Sequence, residues 1–153
     1  EYGPILNNLG RLLCRLGEVD EALSELAIAA QVDGYASRHI PLTNAARCAL
    51  GAERNEEAKT FVVAALEQHS GFVPALLVRA ELRFEQQRFT AAAKDLERVR
   101  EIDRSPRALF FSSLVAGELG QTGAAEGYAH ELRKRFPQSD YVERLDADEG
   151  GAS

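Results

Sequence analysis

Alanines recur at nearly constant spacing along the chain, and this repetition restricts the possible folds more than any other feature. Ala22, Ala58, Ala92 and Ala125 are 36, 34 and 33 residues apart. Further apolar residues follow each of them at intervals of three or four, which places them on one face of a helix. A period of this length is typical of proteins built from stacked supersecondary units, in which each unit buries its apolar face against its neighbours.

Small residues also occur in the segment that precedes each of these alanines. They are Gly10, Ala46, Ala80 and Ser113, and a small side chain lets two helices cross closely. This combination is typical of the tetratricopeptide repeat, whose period is about 34 residues. We therefore predict an all-α fold, a tetratricopeptide (TPR) repeat superhelix of four helical hairpins with a short C-terminal cap.

Turn-forming residues set the boundaries of the repeats. Asp33-Gly34, Ser70-Gly71 and Arg104-Ser105-Pro106 are breaks of the kind that end one hairpin and begin the next. The predicted repeats cover about residues 3–38, 39–72, 73–105 and 106–138, within a repeat domain of residues 1–145. Residues 146–153 are acidic and have no apolar side chain worth burying, so we expect a disordered tail there.

The residue types that usually carry catalysis or bind metals are not clustered in the sequence. His39, His69 and His130 are far apart in the sequence, and no two of them have the four-residue spacing of a helical metal site. The glycines of residues 117–123 lack both a preceding strand and the Lys-Ser/Thr pair of a phosphate-binding loop. We therefore expect a protein that is not an enzyme, with no catalytic residues, no cofactor and no metal.

Charge and hydropathy argue against two further classes of protein. The chain has 24 acidic and 18 basic residues, a net charge of −6, and no run rich in Lys and Arg. A chain of this charge is a poor ligand for nucleic-acid phosphates, so we expect no nucleic-acid partner. No apolar stretch approaches the roughly 20 residues that a membrane-spanning helix needs.

The inner surface of such a repeat protein is formed by the first helix of each hairpin and is the expected partner-binding groove. The repeat register assigns twelve residues to it: Asn7, Arg11, Arg15, Thr43, Arg47, Leu77, Glu81, Phe84, Glu85, Phe110, Leu114 and Glu118. The N-terminal half of this set is basic, and the C-terminal half is apolar and acidic. Phe84 and Leu114 also suit packing between repeats. Phe110 and Phe111 are adjacent on one helix, so we expect one of the pair to be exposed.

Three segments of the chain resemble a known family. Residues 6–14 are Leu-Asn-Asn-Leu-Gly-Arg-Leu-Leu-Cys, residues 44–50 are Asn-Ala-Ala-Arg-Cys-Ala-Leu, and residues 131–139 end in Phe-Pro-Gln-Ser. They are similar to the Asn-Asn-Tyr-Gly-x-Phe-Leu-Cys, Asn-Ala-Gly-x-Cys-Ala-Leu and Phe-Pro-x-Ser segments of type IV pilus biogenesis lipoproteins, the pilotins of the PilF/PilW type. Leu9 replaces the aromatic residue of the first segment. The likeness covers about residues 6–141.

The resemblance implies a pilotin-like protein–protein interaction scaffold. Such a scaffold supports outer-membrane localisation and assembly of the type IV pilus secretin, the ring-shaped outer-membrane channel. The implied location is the periplasmic face of the outer membrane, as a lipoprotein in full length, with the export signal and lipid anchor upstream of this sequence. Contact with the membrane is then expected only through that anchor. The alternatives are a generic TPR adaptor and a targeting domain cut from a larger protein or enzyme.

Cys14 and Cys48 fall at neighbouring heights on the first helices of adjacent predicted hairpins. Helices that pack side by side lie about 8–10 Å apart, and a slightly closer approach brings two cysteines into bonding geometry. The periplasm implied by the resemblance is oxidising, so we predict a disulfide between them. The alternative is a pair of buried free thiols, which behave as small apolar side chains.

Overall fold

A computed structural model describes residues 2–151, and these residues form nine α-helices and no strand. This confirms the predicted all-α class, with four consecutive helix pairs and a ninth helix after them. The helices are α1 (Tyr2–Arg15), α2 (Val19–Gln31), α3 (His39–Gly51), α4 (Asn55–Gln68), α5 (Val73–Glu85), α6 (Phe89–Arg100), α7 (Pro106–Glu118), α8 (Thr122–Arg135) and α9 (Asp140–Gly151). Within this part of the chain, no helix is long and apolar enough to cross a bilayer.

The turn inside each helix pair has the same backbone geometry. One residue in each turn has a positive φ, namely Gly17 (83°), Glu53 (60°), Gln87 (58°) and Gly120 (72°). The next residue donates its N–H to a carbonyl five positions back, as from Glu18 to Leu13 at 3.0 Å. This bond and the left-handed residue before it define a Schellman motif, which satisfies carbonyls at the end of the first helix. The same turn therefore ends the first helix of each of the four pairs, although only two of the turns have glycine at the position with positive φ.

The helices group into two compact units, Glu1–Leu82 and Arg83–Ser153, and the division falls within α5. In the first unit, α1 and α2 meet at Gly10, where an added Cβ would lie 2.5 Å from Cγ of Leu26 and 3.1 Å from the Ala22 carbonyl oxygen. Ala22 and Leu26 are fully buried beside it, and so is Ala46 on α3. The small residues predicted at the helix crossings therefore allow close packing in this unit.

In the second unit, both phenylalanines of the Phe110–Phe111 pair are buried, each only 4% exposed. The prediction that one of them is exposed is therefore wrong. The Phe111 ring lies 5.9 Å from that of Phe84, while Phe110 lies 5.2 Å from the ring of Tyr141 on α9. The helix α7 is thus covered on more than one side, and α9 supplies a cover that the repeat period does not predict.

The prediction of a disordered tail from residue 146 is also corrected, because residues 146–151 continue α9. Leu145 is buried, and Arg133 of α8 pairs with Asp146 and Glu149 at 2.7 Å each. The acidic residues that suggested disorder are in part ion-paired, and this holds α9 against α8. Residues 152 and 153 lie outside the described residues.

Candidate partner-binding site

The twelve predicted groove residues are divided between the two units. Seven belong to the first unit: Asn7, Arg11 and Arg15 on α1, Thr43 and Arg47 on α3, and Leu77 and Glu81 on α5. Five belong to the second: Phe84 and Glu85 at the end of α5, and Phe110, Leu114 and Glu118 on α7.

Three arginines of the first set line one cleft. Arg11 and Arg15 of α1 and Arg47 of α3 are exposed, and together with Cys14, Asn44 and Cys48 they surround a volume of about 220 Å³. We call this the arginine cleft. The residues of α1 and α3 that form it are spaced by three or four positions, so they share the facing sides of the two helices. The cleft is the place in the first unit where predicted groove residues converge.

Cys14 and Cys48 form a disulfide in the structure, with their Cα atoms 5.9 Å apart. This separation lies within the usual range for such a bond. The bond joins α1 to α3 beside the arginines, because Arg11 lies one turn before Cys14 and Arg47 directly precedes Cys48. The two helices that carry the arginines are therefore covalently fixed to each other.

A hydrogen bond between two asparagines joins the same helices. Nδ2 of Asn44 donates to Oδ1 of Asn7 at 2.8 Å, and Asn7 is buried. The groove register did not include Asn44, although its spacing of three residues from Arg47 places both on one side of α3. Asn7 therefore joins the two helices from beneath the surface, while Asn44 forms part of the wall of the cleft.

The other predicted residues of the first unit are less accessible. Thr43 is 2% exposed and its hydroxyl donates to the His39 carbonyl at 2.7 Å, and Leu77 is 4% exposed. Glu81 is half-buried. Neither Thr43 nor Leu77 offers its side chain to a partner in this structure, so the arginines form the polar surface that a partner meets.

The arginine cleft differs in charge from the rest of the molecule. The chain has a net charge of −6, whereas the cleft gathers three guanidinium groups. Arg11 and Arg15 form no ion pair with any residue in 2–151. By contrast, Arg54 pairs with Asp20 and with Glu57, each at 2.5 Å. The charge of the two α1 arginines is thus available to a ligand.

The predicted residues of the second unit do not form a continuous exposed apolar surface. Phe110 is covered, with the Arg144 guanidinium 4.7 Å from the centre of its ring. Phe84 lies 5.6 Å from the ring of Phe89, in keeping with the alternative that it serves packing, and Leu114 is half-buried. Glu85 and Glu118 are exposed. The accessible part of this set is therefore mainly acidic.

An apolar stripe on α1 was not among the predicted site residues. It consists of Tyr2, Ile5, Leu9 and Leu12 of α1 and of Leu16 directly after the helix, and these residues are between 40% and 71% exposed. Their spacing of three and four residues places them on one side of the helix, and this spacing is visible in the sequence. The helix α1 therefore presents an exposed apolar side in addition to the side that carries Arg11 and Arg15.

The histidines do not assemble a metal site. His39 and His69 lie near each other, with ring centroids 5.0 Å apart, and both contact Phe72. Burial lowers the pKa of His39, and the charge of His69 lowers it further. Across residues 2–151, no group of three or more His, Cys, Asp or Glu side chains could hold a metal ion.

The fold resembles several solved structures. PilF of Pseudomonas aeruginosa matches with a TM-score of 0.80 and 20% identity over 95% of this chain and 66% of that one. PilW, a type IV pilus biogenesis factor, matches with a TM-score of 0.76 and 22% identity over 95% of this chain and 67% of that one. A tetratricopeptide repeat protein from Parabacteroides merdae matches with a TM-score of 0.70 and 23% identity, over 90% of this chain and 53% of that one.

In contrast to these structural matches, no family model and no curated protein matches the sequence. The chain spans about two thirds of the length of PilF and of PilW. At these identities the likeness is one of fold. The chain therefore has the fold of tetratricopeptide repeat proteins, and its structural neighbours include proteins of type IV pilus biogenesis.

Proposed function

We propose that this chain is a protein–protein interaction scaffold of the pilotin type. In this role it supports outer-membrane localisation and assembly of the type IV pilus secretin, from the periplasmic face of the outer membrane. The observation that carries the proposal is the likeness in fold to PilF and PilW over 95% of the chain. The resemblance of residues 6–14 and 44–50 to pilotin segments supports the same role.

The first unit has the physical properties of a scaffold. Its first two hairpins are joined by the Cys14–Cys48 bond, and the arginine cleft lies beside that bond. A surface that is fixed before the partner arrives loses less conformational entropy on binding. A disulfide also persists best in an oxidising compartment such as the periplasm, which agrees with the proposed location.

Capture of the secretin tests this function. The chain is immobilised and incubated with detergent-solubilised envelope from the source bacterium, and the bound proteins are identified by mass spectrometry. A tetratricopeptide protein of similar net charge serves as the control matrix. We expect the secretin to be enriched on the chain relative to the control. If the secretin is equally abundant on both matrices, the pilotin role is rejected, and an adaptor or targeting domain becomes the better hypothesis.

A further inference from the structure

The arginine cleft has the chemistry of a carboxylate-binding site. We propose that it binds an extended, carboxylate-rich segment of the partner protein, an inference that rests on the proposed scaffold function. Arg11, Arg15 and Arg47 supply the positive charge, and Asn44 supplies an amide beside them.

The arginines suit carboxylates because of their shape as well as their charge. A guanidinium group presents parallel N–H donors that match the two oxygens of a carboxylate, and such bidentate pairs are stronger than neutral hydrogen bonds. Arg11 and Arg15 have no carboxylate partner within residues 2–151, so binding of a carboxylate to these two arginines does not require an internal ion pair to break. A glutamate or aspartate of the partner can therefore take this position directly.

Asn44 favours a peptide over an isolated anion. One N–H of its amide is donated to Asn7, which leaves the second N–H and the carbonyl oxygen for a ligand. A donor and an acceptor on one side chain match the carbonyl and N–H groups of an extended main chain. The cleft thus offers main-chain contacts next to side-chain carboxylate contacts.

The size and surroundings of the cleft argue against a large polyanion. The cleft has a volume of about 220 Å³ and is lined by only six residues. A nucleic acid would need phosphate contacts along a much longer basic surface, and this chain carries six more acidic than basic residues. A short acidic segment places its charges in the cleft and keeps the rest of the ligand away from the acidic surface.

Two links keep the arginines in position. The Cys14–Cys48 bond and the Asn44–Asn7 hydrogen bond both join α1 to α3 within one turn of an arginine. The backbone positions that carry Arg11 and Arg47 are therefore fixed relative to each other before a ligand binds, and such preorganisation raises affinity.

Fluorescence anisotropy measures the proposed contact directly. The probe is a fluorescein-labelled synthetic octapeptide with three glutamates, and its partner peptide has glutamine at the same positions. We expect the oxidised chain to bind the glutamate peptide at least tenfold more tightly than the glutamine peptide. The double variant Arg11→Ala, Arg47→Ala should lose at least tenfold in affinity for the glutamate peptide. Its circular dichroism and melting temperature should stay unchanged, because both side chains are exposed.

A matched variant separates the cleft from net charge. Arg88→Ala with Lys94→Ala removes two exposed cations from the other unit and should leave binding unchanged. Equal loss in both double variants, or no loss in the cleft variant, would overturn the proposal. The proposal would also be overturned if the oxidised chain did not bind the glutamate peptide at millimolar concentration. The same holds if the chain bound phosphatidylglycerol vesicles through Arg11 and Arg47 but did not bind the peptide.

The secretin capture assay, repeated with the Arg11→Ala, Arg47→Ala variant, distinguishes failure of the site from failure of the function. If the unchanged chain and the variant capture the secretin equally, the cleft is not the contact and the scaffold function stands. If the chain binds the glutamate peptide but captures no secretin, the cleft is an acidic-peptide site and the pilotin role is rejected.

Discussion

Gly10 occupies a position at which the packing of two helices leaves no space for a side chain. A Cβ there would come within 2.5 Å of Leu26 and 3.1 Å of the backbone of Ala22. In the second unit the small residue Ser113 meets the same demand differently, because its hydroxyl donates to the Ala125 carbonyl at 2.9 Å. The repeat pattern thus requires a small residue where the two helices of a pair cross, and local contacts determine which small residue it is.

We expect Gly10→Ala to destabilise the chain by about 1–3 kcal/mol, because an overpacked crossing must shift Leu26 or separate α1 from α2. Urea unfolding of the oxidised chain measures the change. Gly127→Ala is the matched control, since Gly127 lies inside α8 with no atom within 4 Å of an added Cβ. That variant should gain up to about 1 kcal/mol from helix propensity. Equal stability of the two variants would contradict the packing argument.

Among the elements, α9 is attached by few contacts. Leu145 is its one buried residue between Asp140 and Gly151, and the remaining contacts include Tyr141 and Arg144 against Phe110 and the ion pairs of Arg133. Elements with few buried apolar contacts open locally at low free-energy cost. We therefore expect the cover that α9 provides over Phe110 to open more readily than the packing of α7 against α8.

Arg133→Ala should increase the opening of α9 severalfold. The variant loses the ion pairs to Asp146 and Glu149, and partly exposed pairs of this kind are each worth about 0.2–1 kcal/mol. Amide hydrogen exchange of residues 140–151 measures the change. The neighbouring Lys134→Ala removes an exposed cation and is expected to leave this exchange unaltered. Similar exchange in both variants would show that the ion pairs do not hold α9.

The contact between Arg104 and α8 depends on pH. Arg104 donates two hydrogen bonds to Glu131, at 3.0 and 2.5 Å, and together with Arg135 it lowers the pKa of Glu131 from 4.5 to about 2. A carboxyl whose pKa is lower in the folded state stabilises the fold above its unfolded pKa. This stabilisation is fully present above about pH 4.5 and is lost as the pH falls towards 2.

We expect Glu131→Gln to cost about 1 kcal/mol at pH 7, since the groups are partly exposed and solvent screens them. The difference from the unchanged chain should shrink as the pH falls from 4.5 towards 2, because Glu131 becomes protonated first in the unfolded state and then in the folded state. Urea unfolding at several pH values provides the measurement. A difference that stays constant across this range would rule out the ion pairs as its source.

For the whole molecule, the division into two compact units suggests that stability is local. The Cys14–Cys48 bond closes a loop with a sequence separation of 34, and it lies entirely in the first unit. A bond that closes a loop of this length is typically worth 2–4 kcal/mol, in the chain-entropy account because it restricts the unfolded chain. In repeat proteins each unit interacts mainly with its neighbours, so such an effect decays along the chain.

Reduction should therefore raise amide exchange in α1 and α3 much more than in α7 and α8. The measurement is hydrogen exchange with and without dithiothreitol, and the Cys14→Ser, Cys48→Ser variant, which should be insensitive to dithiothreitol, is the control. A uniform rise across both units would mean that the chain unfolds as one cooperative body. Thiol labelling of the denatured, non-reduced protein tests the bond itself, because two labelled cysteines would show that it had not formed.

The sequence predicted the parts of the fold that follow the repeat, and it did not predict those that lie outside the repeat. The spacing of Ala22, Ala58 and Ala92 predicted the helix pairs, because small residues at a fixed period of this length are typical of stacked helical hairpins. The left-handed turn at Glu53 could not be predicted from its own side chain, which does not favour positive φ, and only equivalence with Gly17 indicates it. Burial of Phe110 depends on α9, which belongs to no repeat. The convergence of the three arginines followed from the register, whereas Asn44 required the structure.

The disulfide has a mechanical consequence as well. Tension applied to the two termini would pass from Cys14 directly to Cys48, so α2, which lies wholly inside the closed loop, would carry no load. A pulling force could not extend the residues inside the loop. With a sequence separation of 34 and at most about 3.3–3.6 Å per residue, this shortens the fully extended chain by roughly 110–120 Å. Arg47 lies inside the closed loop and Arg11 only three residues outside it, so the bond would limit how far the two arginines could be drawn apart.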